Sequence, residues 1–279
     1  IVISAVCVYL VGMPLIYLML RNMRHVHPLR SSVGLVRFLK FFCASYALAY
    51  ASNLFGTVVT AFLGAIKGSP IENRVFDIVM GSNIFVELIF MVILAPMMEE
   101  LIFRKLIIDR TLIFGDRTAI FISALIFGLF HGNFSQFVYA FALGLIFGYV
   151  YIRTGDIKVT IGLHGLMNFF GSVAASYLLK LVDVEELFNI YSAGDMDRIM
   201  EFFGQNYIGM AVLSLYGMMI LAIVVLGMVF LLTGMRRLTL YEGEIMIPRE
   251  RFVKTTLLNL GMILLILYFL VLIVLQILE

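Results

Sequence analysis

Between Tyr207 and Thr233, and again between Leu257 and Leu278, the chain carries no charged residue. A spanning helix needs about 20 mostly apolar residues, and a backbone in hydrocarbon must satisfy its N–H and C=O groups within its own segment. These runs therefore dictate helices in a bilayer. Comparable stretches recur at roughly 1–20, 41–66, 78–103, 118–134, 136–152 and 159–180, with the two charge-free runs at 207–233 and 257–278. The sequence is 62% hydrophobic and 14% charged, whereas soluble domains are about 45–50% apolar and about 25% charged. The expectation is an all-α polytopic membrane protein with about eight transmembrane helices. It reads as one transmembrane domain over 1–279, with a motif-bearing core at about 85–172 and flanking helices in 1–66 and 207–278.

The opening apolar run lacks a basic leader and a small-residue cleavage site, so it reads as a span rather than a signal peptide. Of the 20 Lys and Arg residues, all but Lys67, Arg74, Lys180 and Arg198 fall in segments 21–40, 104–117, 153–158 and 234–256. The positive-inside rule places those segments in the cytoplasm and both termini outside. The expected location is a prokaryotic cell membrane. The segment 181–206 is acidic (Asp183, Glu185, Glu186, Asp195, Asp197, Glu201) and reads as a solvated extracytoplasmic stretch with a short amphipathic helix. Spans four and five are joined tightly through residues 131–135, whose Gly and Asn suit a helical hairpin. A net charge of +2 and aromatics confined to apolar spans argue against a nucleic-acid partner. Cys7 and Cys43 both fall in spans, which argues against a disulfide framework or a Cys-rich metal site.

Ionisable groups in a membrane helix cost about 2.5–3.5 kcal/mol each on insertion scales, and they mark functional positions. Three clusters stand out. In the first, Glu99 and Glu100 are followed by Arg104. Glu100 and Arg104 are i,i+4 neighbours able to pair, while Glu99 points about 100° away and is left to face a cavity as a candidate base. In the second, Phe127 and His131 share a helical face, and an imidazole there can orient or deprotonate a water. In the third, His164 and Asn168 share a face and offer two donors to a developing oxyanion. A structural reading stands beside each: a salt bridge at a helix end, a histidine bonded to a backbone carbonyl, and an interhelical hydrogen bond. Counted at 1.5 Å per residue from the cation-rich ends of their spans, the three sites reach similar depths. One water-filled cavity open to the cytoplasmic half could hold them all.

These residues closely resemble the CPBP family of CAAX proteases and bacteriocin-processing proteins, also called Abi, whose pattern is EExxxR, then FxxxH, then HxxxN. Here the three motifs are Glu99–Arg104, Phe127–His131 and His164–Asn168, and the resemblance covers about 85–172. It implies an eight-helix intramembrane endopeptidase. In that reading Glu99 and His131 activate the hydrolytic water, His164 and Asn168 form the oxyanion hole, and Glu100 and Arg104 support the site. No cofactor is expected, since the sequence has no His-Glu-x-x-His helix. Zinc held by Glu99, His131 and His164 is the alternative.

The expected partners are membrane lipid and a membrane-associated peptide or protein substrate, with no oligomeric state implied. Two other function classes compete. A non-proteolytic scaffold, regulator or immunity protein would use the same cavity to bind a partner. A proton- or cation-coupled transporter would also place Glu and His in the membrane, but the sequence lacks an inverted repeat or paired broken helices. Glu87 is the one further carboxylate well inside a span; without a motif partner, it reads as a helix–helix hydrogen bond.

Overall fold

The computed structural model of the chain describes residues 7–71 and 81–278. Arg74, the first six residues of the opening span and residues 78–80 of the third lie outside the described residues, as does the Glu185 side chain. Among the described residues every regular element is a helix: α1 (Cys7–Leu20), α2 (Leu35–Lys67), α3 (84–111), α4 (Asp116–Phe130), α5 (Phe134–Thr154), α6 (Ile157–Val182), α7 (Val184–Ala193), α8 (Met196–Gln205), α9 (Tyr207–Met235), α10 (Arg249–Thr256) and α11 (Leu260–Leu278). The chain is an all-α polytopic membrane protein. A helix stands at each of the eight predicted positions, but length and apolarity support five of them as crossings: α2, α5, α6, α9 and α11. Helix α1 is shorter, α4 has 15 residues, and α3 carries the charged site.

The acidic stretch holds two short helices, α7 and α8, rather than one. They close a small cluster of Val182, Ile190 and Phe202. The α4–α5 hairpin forms as the sequence predicts. Gly132 takes φ +65°, a left-handed turn conformation open to glycine. Asn133 then caps α5 by accepting a hydrogen bond from the Gln136 amide at 2.7 Å. Helices α2 to α6 enclose the main core, in which Phe42, Phe103, Phe127, Phe147, Leu163 and Met167 are buried together. Helix α9 packs along α2.

Helix α3 continues without a break through Arg104 to Thr111. Arg104 is therefore a fully buried helical residue, not part of a cytoplasmic loop beginning at 104. Its buried carboxylate partner makes that placement tolerable. Within α3, wide π turns at Leu88–Leu94 and Leu101–Ile108 flank the α-helical stretch Ala95–Glu100 that carries both glutamates. Such turns are rare and concentrate at functional sites. Glu87 has a partner that the motif spacing did not reveal: it is buried, 3.7 Å from the Lys180 ammonium of α6.

Loops strap the cation-rich ends of the core helices. Buried Asp109 at the end of α3 meets His27 at 2.6 Å, Lys105 at 2.9 Å and the Tyr151 hydroxyl at 2.8 Å. At the start of α4, Asp116 pairs with Arg153 and accepts from the Tyr241 amide. The segments that follow α1 and α9 are thus fixed to the helices that carry the site.

Candidate active site

The first motif builds a buried ion-pair network. Arg104 Nε donates to Glu100 Oε2 at 3.0 Å, its Nη2 reaches Oε1 at 3.5 Å, and its Nη1 donates to Ser123 Oγ at 2.8 Å. Ser123 in turn donates to the Phe103 carbonyl at 2.8 Å. Glu100 and Arg104 are both 0% exposed, so each charge depends on the other and on these hydrogen bonds. The guanidinium lies 5.0 Å above the Phe127 ring and 5.9 Å above Phe147, in the cation–π range.

His164 joins the first motif to the third. Its Nδ1 lies 3.1 Å from Glu100 Oε1, and its Nε2 lies 3.8 Å from Glu99 Oε2. The ring is therefore held between the two adjacent carboxylates. Glu99 is rotated off the Arg104 face, as helical geometry requires, and its side chain retains 13% exposure. The Thr160 hydroxyl donates to the Ile157 carbonyl at 3.1 Å and lies near Glu100.

His131 enters from α4. Its Nδ1 donates to the Phe127 carbonyl at 2.9 Å. A carbonyl only accepts, so the proton is on Nδ1 and Nε2 of the neutral ring is free to accept. Phe127 stands edge-on to both imidazoles, with ring centroids 5.1 Å from His131 and 5.7 Å from His164. This one buried ring spaces the two histidines and supports Arg104. His131 is also within electrostatic reach of Glu99.

Asn168 lies one helical turn beyond His164, and its Nδ2 donates to the Met91 carbonyl at 2.8 Å. The sequence of α3 explains why that acceptor is available. Ala95 N–H closes an i→i−5 bond to Phe90 O, so the same pattern would pair residue 96 with Met91. Residue 96 is proline and has no N–H. The Asn168 amide supplies the missing donor, satisfying a backbone acceptor that would otherwise be orphaned. One Asn168 N–H is thereby engaged as an interhelical latch between α3 and α6.

Gly165 makes this approach feasible. A Cβ built there would sit 2.8 Å from the Val92 carbonyl oxygen. Gly165→Val is expected to push α6 away from α3 and cost about 1–3 kcal/mol in overpacking. The check is a lower thermal midpoint in detergent, and an unchanged midpoint would refute the close contact.

The structure thus brings Glu99, Glu100, Arg104 and His164 into one network. His131 is joined to it through Phe127, and Asn168, one turn beyond His164 on α6, is bonded to the α3 backbone at Met91. Ser123, Thr160, Phe147 and Pro96 complete the site without having been assigned a role from the sequence. Ser123 and Thr160 had a signal, since each lies four residues before a motif position on the same face (Phe127 and His164). Phe147 had none. Among the described residues, no group of three His, Cys, Asp or Glu side chains stands within metal-binding reach.

The fold and site define a helical membrane protein with a buried carboxylate–imidazole network shared by three neighbouring helices. Residues 81–170 match the family described as type II CAAX prenyl endopeptidase Rce1-like. The resemblance read from the three motifs is thus matched over this stretch, which contains all three of them. The chain is 34% identical over 120 residues to the membrane-embedded CAAX protease MroQ of Staphylococcus aureus, covering 40% of this chain and 48% of that protein. It is 28% identical over 145 residues to the putative membrane peptidase YdiL of Bacillus subtilis, covering 50% of this chain and 57% of that protein. The chain spans about half the length of the curated relatives it matches. No solved structure matches it.

Proposed function

We propose that this chain is an intramembrane endopeptidase that cleaves a membrane-associated peptide or protein with Glu99 as general base. The observation that carries this reading is His164 held between Glu99 and Glu100, with Arg104 neutralising Glu100. Of the two carboxylates, Glu100 is saturated by Arg104 and His164, whereas Glu99 is partly exposed and meets the Tyr9 hydroxyl of α1 and, at 3.8 Å, His164 among the described residues.

Glu99 removes a proton from water, His131 Nε2 accepts the water's second hydrogen to orient it, and the hydroxide attacks the scissile carbonyl carbon. With Nδ1 directed at Glu100, His164 donates through Nε2 only as the imidazolium. That form, flanked by two carboxylates, serves the tetrahedral oxyanion. The second N–H of Asn168 is the other candidate donor. When the C–N bond breaks, protonated Glu99 returns its proton to the leaving amine, so water and peptide become acid and amine with no net proton change. The similarity to a CAAX protease and a membrane peptidase supports the same reaction class.

No metal takes part in this scheme. Purified protein in detergent is expected to cleave a fluorogenic membrane-peptide library equally with and without a strong chelator. Loss of cleavage on chelation, restored by zinc, would move the assignment to a metalloprotease. The cation-rich loops support a site open towards the cytoplasmic half of the membrane, and the relatives from Staphylococcus aureus and Bacillus subtilis support a prokaryotic one.

A further inference from the structure

A cavity of about 400 Å³ lies between α4 and the α10–α11 segment, on a face of α4 turned about 100° from the one that carries Ser123 and Phe127. This is within the range of small-molecule sites, about 300–1,000 Å³. On α4 its wall is Thr118, Ile122 and Ile126, an i,i+4,i+8 stripe running about 12 Å along the helix. Met262 and Leu265 of α11 face that stripe. The other end of the groove is polar, with Thr255 and Asn259 where the chain turns from α10 into α11. No charged side chain lines it, but α10, which leads into the polar end, exposes Arg249, Arg251 and Lys254 against the one carboxylate Glu250. Arg251 shares a helical face with Thr255 at i,i+4. Contact between Phe252 and Phe121, centroids 6.3 Å apart, holds α10 against α4.

The groove thus runs from a cationic, hydroxyl-bearing mouth to an apolar floor, along a helix of a membrane protein. That polarity gradient matches an amphiphile with an anionic head. We propose that the groove holds one anionic phospholipid of the bilayer, its acyl chain against Ile122, Ile126 and Leu265 and its headgroup at Thr255 and Arg251, where Asn259 caps the turn by bonding the Thr255 carbonyl and the Met262 amide. The cationic mouth selects the headgroup charge, because a basic residue near an anionic lipid surface contributes about 1 kcal/mol, equivalent to about fivefold in affinity. The proposal is independent of the proteolytic reading, since its readout is lipid binding.

The test uses the full chain, stripped of lipid in detergent and supplied with phosphatidylglycerol or phosphatidylcholine bearing the same acyl chains, with bound lipid counted by native mass spectrometry. One phosphatidylglycerol per chain is expected, retained more tightly than phosphatidylcholine. Arg251→Ala is expected to weaken phosphatidylglycerol about fivefold and leave phosphatidylcholine unchanged. Ile126→Trp fills the apolar end and is expected to displace both lipids; Leu265→Trp fills it from the other wall should the first variant fail to fold. Equal retention of the two lipids by the wild type, or wild-type retention in a folded filled variant, overturns the proposal. Competition by glycerol phosphate at equal concentration also overturns it, by showing a headgroup-only anion site.

Discussion

Glutamine in place of Glu99 is expected to lower peptide-bond cleavage on the order of 10²–10⁴-fold, the usual contribution of a positioned general base. The substitution keeps the shape of the side chain and removes its ability to take a proton from water. Glu99 is 13% exposed and has no buried cation bonded to it as Glu100 has Arg104, its ion-pair distance to His164 being 3.8 Å, so the folded state does not depend on its charge as it depends on that of Glu100. Activity and stability should therefore separate: kcat/KM on a fluorogenic membrane peptide falls while the thermal midpoint stays close to that of the wild type. Glu99→Gln protein that cleaves as fast as the wild type would remove Glu99 as the base and end the proposed mechanism.

Arg104→Met should act in the opposite manner, chiefly on the fold. Met fills much of the same apolar volume but leaves Glu100 without its buried cation, and it also removes the donor to Ser123. Breaking a buried pair by removing one partner costs about 3–5 kcal/mol, most of it the penalty for the charge left behind. A large drop in thermal midpoint is expected, with activity lost alongside it. Adding Glu100→Gln to Arg104→Met removes the stranded carboxylate and should recover part of the stability. That coupling is readable in a double-mutant cycle. If the single variant melts like the wild type, the pair is not the structural centre of the site.

Much of this arrangement was legible in the sequence because it rests on helical periodicity. The pairing of Glu100 with Arg104, the divergence of Glu99, the shared face of Phe127 and His131, and the α4–α5 turn follow from 3.6 residues per turn and turn chemistry. What periodicity does not encode is which helices meet and at what height. Nothing in the spacing indicated that His164 would bridge both glutamates, that Phe147 from α5 would stack under the guanidinium, or that Lys180 would reach Glu87. Hydropathy had a similar limit. It marked positions for eight spans, yet α3 satisfies its buried charges by pairing rather than by being apolar throughout, and a scale that scores residues singly cannot register that compensation.

Pro96 and Asn168 have a consequence at the level of evolution. The proline removes one backbone donor from α3, and the asparagine returns one from α6 to the Met91 carbonyl. If this repair is the whole purpose of the amide, the two positions form a covarying pair: a lineage that regains an N–H at position 96 releases position 168 from constraint. If the second N–H serves the oxyanion, asparagine persists at 168 after the proline has gone. Comparison of relatives differing at position 96 therefore separates an architectural asparagine from a chemical one without any assay of activity.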